Sequence, residues 1–267
     1  MATTDVPGLR ALIRLELRRA FRPPYEAPIV VAINGALMAG AWLLLPVHLQ
    51  QALFRVHGPF AFPIVLGSWM YADVPSTNVL GGDAPQSLVM LDDPLRFRRL
   101  LQARALMLWT IITPICVAVA IAIGIYEGNW ATTALAIIEV VVVPLGALAV
   151  VAWIGIRFPY HPIPLAERWR NRRPVKHKLI RWGVLIVIPY MVVPFVAALI
   201  AVPTLAIWAA SRRGLTFPPT GPVLVLATAL AVAEAIVFIV VGHRVSERLR
   251  RTRVAELRAY LADPARG

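Results

Sequence analysis

The sequence predicts an all-α membrane protein with about six spanning helices, and three observations carry that expectation. Of its 267 residues, 59% are apolar and only 15% are charged, against about 25% charged in ordinary soluble domains. The apolar residues fall in long uncharged runs near 20 residues, the length of helix that a hydrocarbon core of ~30 Å demands. Basic residues crowd into alternate connections between those runs, as they do when every second connection stays inside the cell.

In chain order the apolar runs are 28–47, 59–80, 105–125, 131–156, 182–210 and 221–242. The second is interrupted by Asp73 and Pro75 and ends in the polar stretch Ser76, Thr77 and Asn78. The fifth is too long for one simple span and holds Pro189, Pro194 and Pro203. It is expected to end near Val202, with 203–210 a short helix folded back at the outer face.

The N-terminal segment carries Arg10, Arg14, Arg18, Arg19 and Arg22, and the second, fourth and last connections are also basic. Across the chain, 24 Lys and Arg residues lie on one side and 3 on the other. The basic side is the cytosol by this rule, which puts both termini inside and makes the span number even. The expected organisation is a cytosolic N-terminus with an amphipathic elbow helix at 1–27, a transmembrane domain at 28–242 and a basic cytosolic C-terminal helix at 243–267. The first 22 residues lack an uninterrupted apolar core, so no removable leader is read there. Arg outnumbers Lys 25 to 2, a bias of GC-rich bacterial genes, and the expected location is a bacterial cell membrane. A net charge of +13 raises nucleic acid as a partner. Here the charge sits in inner loops, where anionic lipid headgroups account for it, so nucleic acid is not expected.

Residues 8–22 read as an amphipathic helix. Leu9, Leu12, Ile13, Leu17, Ala20 and Phe21 share one face, Arg10, Arg14, Arg18 and Arg22 fall mostly on the other, and Pro23 and Pro24 end it. Such a helix lies in the plane of the inner interface, as an anchor or as a lever on the first span. In the second inner connection Asp83 can cap a short helix with Pro85 in its first turn. That helix runs through Met90 and stops at Asp92, Asp93 and Pro94, and a second helix then leads through Arg96, Arg98 and Arg99 into the third span. A short helix across the ends of two spans either docks into a groove of another protein or is an ordinary capped turn.

Asp73, Glu139 and Glu234 lie within apolar runs. An acidic group at mid-bilayer costs about 2.5–3.5 kcal/mol and therefore faces protein or water. Asp73 is near the inner end. Glu139 and Glu234 are deeper, and either meet polar groups of neighbouring spans or face a cavity. The single cysteine, Cys116, sits inside an apolar run and can form no intrachain disulfide. No Gly-rich loop ends in Lys-Ser or Lys-Thr, so the chain carries no ATPase motif of its own. The histidines make no pair suited to haem or a metal, and no cofactor is expected in this chain.

The order of parts resembles the permease subunits of type-2 ABC exporters. The resemblance rests on the basic elbow at 8–22, the stretch from Asn78 through Asp83 and Pro85, the short helix, the Asp92-Asp93-Pro94 breaker, the basic run from Arg96 to Arg104, and the six-span plan. It implies half of a substrate pathway, formed with a second permease subunit as a homo- or heterodimer. It implies separate ATPase subunits on the cytosolic side that carry ATP and Mg. It also implies a coupling helix made of Asp83, Ala84, Pro85, Gln86, Ser87, Leu88, Val89 and Met90. The long basic connection 157–181 departs from the family pattern.

Two other readings stand beside it. One is an integral membrane enzyme acting on a lipid or polyprenyl substrate, with Asp73, Asp92 or Asp93 as acid, base or metal ligand. The other is a membrane scaffold whose tail recruits a partner through the stripe Val245, Leu249, Val254, Leu257 and Leu261.

Overall fold

The computed structural model describes residues 8–23, 25–49, 60–72, 74–159, 161, 175–212 and 221–263. Asp73, most of the connection 157–181 and the stretch 213–220 lie outside the described residues. All regular structure among the described residues is helical: α1 (Leu9–Ala20), α2 (Glu26–Leu44), α3 (Ala61–Tyr71), α4 (Val74–Thr77), α5 (Ala84–Leu91), α6 (Pro94–Glu127), α7 (Trp130–Arg157), α8 (Val175–Arg212) and α9 (Gly221–Leu261). A single 3₁₀ turn, Gly81–Asp83, leads into α5.

Five of these, α2, α6, α7, α8 and α9, are long and apolar enough to cross a membrane. The architecture is that of an all-α, multi-pass membrane protein. At 1.5 Å per residue the 41 residues of α9 span ~61 Å, about twice the hydrocarbon thickness, so this helix extends far beyond one bilayer face.

The second apolar run departs from the expected single helix. It holds α3, of 11 residues, which stops at Tyr71, followed by the separate turn of helix α4. Eleven residues rise only ~16 Å, half of the hydrocarbon core. The expected break at Val202 is absent: α8 runs on to Arg212 with Pro189, Pro194 and Pro203 inside it. Proline interrupts helices less in an apolar bundle, where neighbouring helices re-satisfy the backbone groups it frees.

α7 is the central helix, packed against α9, α6, α8, α3 and α4. Its contact with α9 is made by small residues, as expected where packing rather than hydrophobicity joins helices. Ala227, Ala231, Ala235 and Gly242 form the buried stripe of α9, and a side chain at Gly242 would run into the backbone of Ala149. The turn from α6 to α7 is tight because Gly128 takes a left-handed conformation (φ 68°), which glycine adopts without strain. The Asn129 Oδ1 then caps α7 by accepting the Thr132 N–H at 3.1 Å.

Pro144 sits inside α7 and has no N–H for the carbonyl of Val140. The Thr113 hydroxyl of α6 donates to that carbonyl at 3.5 Å. The Tyr71 hydroxyl lies 2.7 Å from Thr113 Oγ1. Trp109 Nε1 donates to the next carbonyl, Val141, at 2.8 Å. Side chains of α3 and α6 thus fill the gap that the proline opens. Cys116 is buried in the same core.

Candidate functional site

Arginine-bearing parts of several described helices meet at one end of the bundle. α1, the start of α6, the end of α7 and the extension of α9 meet there around α5. α5 forms as the turn chemistry dictates. Asp83 Oδ1 accepts the Gln86 N–H at 3.2 Å, Pro85 occupies the first turn, and Asp92 closes the helix. Asp93 Oδ1 then caps α6, accepting from Leu95 at 2.8 Å and Arg96 at 3.3 Å.

Of the eight residues predicted to couple, Ala84, Ser87 and Met90 are buried and cannot form a docking face. Ser87 Oγ donates to the Leu80 carbonyl at 2.7 Å, and Met90 packs against Leu12, Leu100 and Ala103. Asp83, Gln86 and Leu88 are partly covered, whereas Pro85 is exposed. Val89 is 63% exposed and Leu95, at the start of α6, is 66% exposed. The outward surface of α5 is therefore a small apolar ridge of Pro85 and Val89, one helical turn apart, with Asp92 at its end and Leu95 at the start of α6 also exposed.

Three helices hold α5 from behind. From α1, Arg19 pairs with Asp83 and donates to Gln86 Oε1, and Leu12 seals against Met90. From α6, Arg104 donates to the Val79 carbonyl and lies 3.3 Å from Ser87 Oγ. From α9, Arg250 Nη1 donates to the Leu91 carbonyl at 2.8 Å, which satisfies an end of α5 that lacks intrahelical donors. Arg250 also takes both Glu247 oxygens at 2.8 Å, and Arg258 pairs with Asp92. The same extension closes the end of α7, where Arg253 Nη1 donates to the carbonyls of Ile156 at 3.2 Å and Arg157 at 2.7 Å. His161 Nε2 lies 2.9 Å from the Tyr260 carbonyl.

Sequence reasoning missed Glu16. It lies on the apolar face of α1, buried to 6% exposure, and meets Arg104, also at 6%. The signal was present, since Glu16 is the sole acid in that helix and falls between Leu12 and Ala20 at four-residue spacing. Phe21, assigned to the apolar face, is exposed, because α1 ends at Ala20 and its covered face turns toward α6. Arg10, Arg14, Arg18 and Arg22 are exposed as expected. Of the apolar stripe of the tail, Val245 is exposed, and the other four residues are covered by the chain itself. Leu257 and Leu261 are buried with Val79, Leu80, Ala84 and Leu91, and Leu249 and Val254 pack onto the same cluster. Asp92 and Asp93 are occupied by Arg258 and by helix capping, and among the described residues no group of three or more His, Cys, Asp or Glu could hold a metal.

Glu139 and Glu234 do not join this end. Glu139 is 2% exposed on α7, and neither of its oxygens has a hydrogen-bond partner. Thr204 of α8 and Glu234 of α9 are the polar groups that bear on it.

No family model matches this chain, and neither a curated protein nor a solved structure is significantly similar to it. The functional argument therefore rests on the geometry of the arginine-rich end and of the buried carboxyl groups.

Proposed function

We propose that this chain is the transmembrane permease subunit of an ATP-driven exporter, with α5 as its coupling helix. The observation that carries the reading is the clasp around α5. A short helix with an outward apolar ridge is tied by buried polar contacts to α6 and α9, both long enough to span, and to α1. A displacement of α5 by a partner is transmitted to those helices, because packed interiors move as units rather than deform.

In this reading the arginine-rich end faces the cytosol of a bacterial cell, both termini lie inside, and α3 with its neighbours forms the sixth membrane segment. The partner is a separate ATPase subunit that carries ATP and Mg, and its cleft receives Pro85 and Val89. A second permease copy or homologue completes the pathway. The rival enzymatic reading is weakened because Asp92 and Asp93 are spent on an ion pair and a cap. The scaffold reading is weakened because Leu249, Val254, Leu257 and Leu261 of its docking stripe already pack within the chain.

The test is co-purification of the full-length chain from its native membrane, followed by a surface substitution. Val89→Asp leaves every contact behind α5 in place and puts a charge on the ridge. The expected result is loss of an associated ATPase subunit with an unchanged unfolding temperature. Retention of that subunit by Val89→Asp would remove α5 as the coupling element.

A further inference from the structure

A groove of about 680 Å³ lies between the start of α6 and the stretch of α9 where its apolar run ends. That volume is within the range of small-molecule sites. Leu101 of α6 and Val240 of α9 line it, together with Arg98 of α6 and Arg244, Arg248 and Arg251 of α9. Val240, Arg244, Arg248 and Arg251 follow one another at three- and four-residue steps, so they share one face of α9. Val240 belongs to the apolar run that ends at Gly242, and Arg244 lies about 6 Å further along the helix. Along this face the wall passes from hydrocarbon to charge. Glu247, also in the wall, is held by Arg250 and Arg251. Arg98, Arg244 and Arg248 are exposed, and among the described residues no carboxylate pairs with any of them. Like charges gathered round one groove repel one another, and an anion between them replaces that repulsion with attraction.

We propose that this groove binds an anionic phospholipid, with its phosphate among Arg98, Arg244 and Arg248 and an acyl chain laid along Leu101 and Val240. A phospholipid has the same order of parts as the α9 face, an oily body followed by a charged head. Basic pockets between spanning helices suit such headgroups, and a guanidinium can take two phosphate oxygens at once. Inorganic phosphate would satisfy the arginines but leave the apolar part of the wall in water. A zwitterionic lipid brings an ammonium group into the same cluster of positive charge. A soluble acidic peptide has to compete at the edge of the bilayer, where lipid headgroups are already in excess. α6 and α9 make little direct contact, so a lipid in the groove also ties the extension of α9 to α6. The proposal goes beyond the coupling reading and does not depend on it, since the lipid binds the chain alone.

The test is native mass spectrometry of the purified full-length chain in detergent, titrated with dioleoyl phosphatidylglycerol. A first lipid is expected to bind about tenfold or more tighter than phosphatidylcholine with the same chains, which corresponds to about 1.4 kcal/mol. Arg244→Gln combined with Arg248→Gln should abolish that preference. Arg10→Gln combined with Arg14→Gln removes the same charge from the exposed face of α1, outside the groove, and should leave the preference unchanged. Arg244 and Arg248 are exposed and make no ion pair among the described residues, so their double variant should unfold at the parent's temperature. If it does not fold, Arg98→Gln removes the α6 side of the site and should weaken phosphatidylglycerol binding in its place. Inorganic phosphate and glycerophosphoglycerol, the headgroup without its chains, should fail to displace the lipid at equal concentration. Displacement by either would make this a free-phosphate site and overturn the lipid proposal. Equal affinity for the two lipids would also overturn it, as would an equal loss in the α1 double variant or no loss in the groove variants.

Discussion

Glu16 of α1 and Arg104 of α6 face each other at 3.6 Å, both buried, and the pair joins the elbow helix to the second of the five long helices. Removing one partner of a buried pair strands the other charge and typically costs about 3–5 kcal/mol, whereas replacing both with apolar residues is often neutral. Glu16→Ala is therefore expected to lower the unfolding temperature strongly, and Glu16→Leu combined with Arg104→Met to recover most of the loss. Thermal unfolding of the four proteins in detergent checks this. Equal and additive losses would mean that the two side chains act independently.

Arg250 joins α9 to α5 across 159 positions of sequence. Arg250→Ala leaves the Leu91 carbonyl without its donor and frees one side of Glu247, which keeps Arg251 at 2.6 Å. The expected cost is about 1–3 kcal/mol, the penalty for an unsatisfied buried acceptor. The extension of α9 should then detach more often from the cluster around Leu257. Limited proteolysis by trypsin reads that detachment, because the extension carries Arg251, Arg253 and Arg258. Arg250→Lys should be cleaved nearly as fast as the alanine variant, since lysine cannot make the planar two-pronged contact with Glu247.

What the sequence made legible at this end was local. Asp83, Pro85, Asp92 and Asp93 each act within a few residues of their own position, so capping rules placed α5 and the start of α6 correctly. The burial of Met90 was not legible, because it depends on Leu12 arriving from 78 positions away in the chain. The exposure of Val89 follows from the same packing and was equally hidden. Helix ends within apolar runs failed for a different reason. Pro203 reads as a stop in water, yet α8 continues through it, while in the second run α3 ends at Tyr71, ahead of the Asp73 and Pro75 that interrupt that run. Among the buried carboxyl groups, the sequence flagged Glu139 by its surroundings, but only the fold brings Thr204 and Glu234 to bear on it.

Gly242 of α9 sits against the backbone of Ala149 in α7 with no room for a Cβ. Gly242→Val has to push α9 away from the central helix or distort it, and overpacking of this kind costs about 1–3 kcal/mol or more. The expected outcome is a lower unfolding temperature and greater trypsin sensitivity in the α9 extension. Gly40→Ala, at a position with open space around it, is the control and should be close to neutral. Equal behaviour of the two variants would remove the close α7–α9 approach.

The bond from Thr113 to the Val140 carbonyl predicts a coupling that neither residue would show alone. Thr113→Val keeps the shape but leaves that carbonyl without a donor and takes a partner from the Tyr71 hydroxyl, at an expected cost of about 1–3 kcal/mol. Pro144→Ala restores an N–H four residues beyond Val140, so the helix itself can supply the missing donor. In the Pro144→Ala background the loss from Thr113→Val should shrink, because only the Tyr71 contact remains to be lost. The interaction energy from a double-mutant cycle is expected to be about 0.5–3 kcal/mol. Unfolding temperatures that add without interaction would mean that the Val140 carbonyl is satisfied elsewhere. The proline gap, which lies one residue from Glu139, would then play no part in holding α6 against α7.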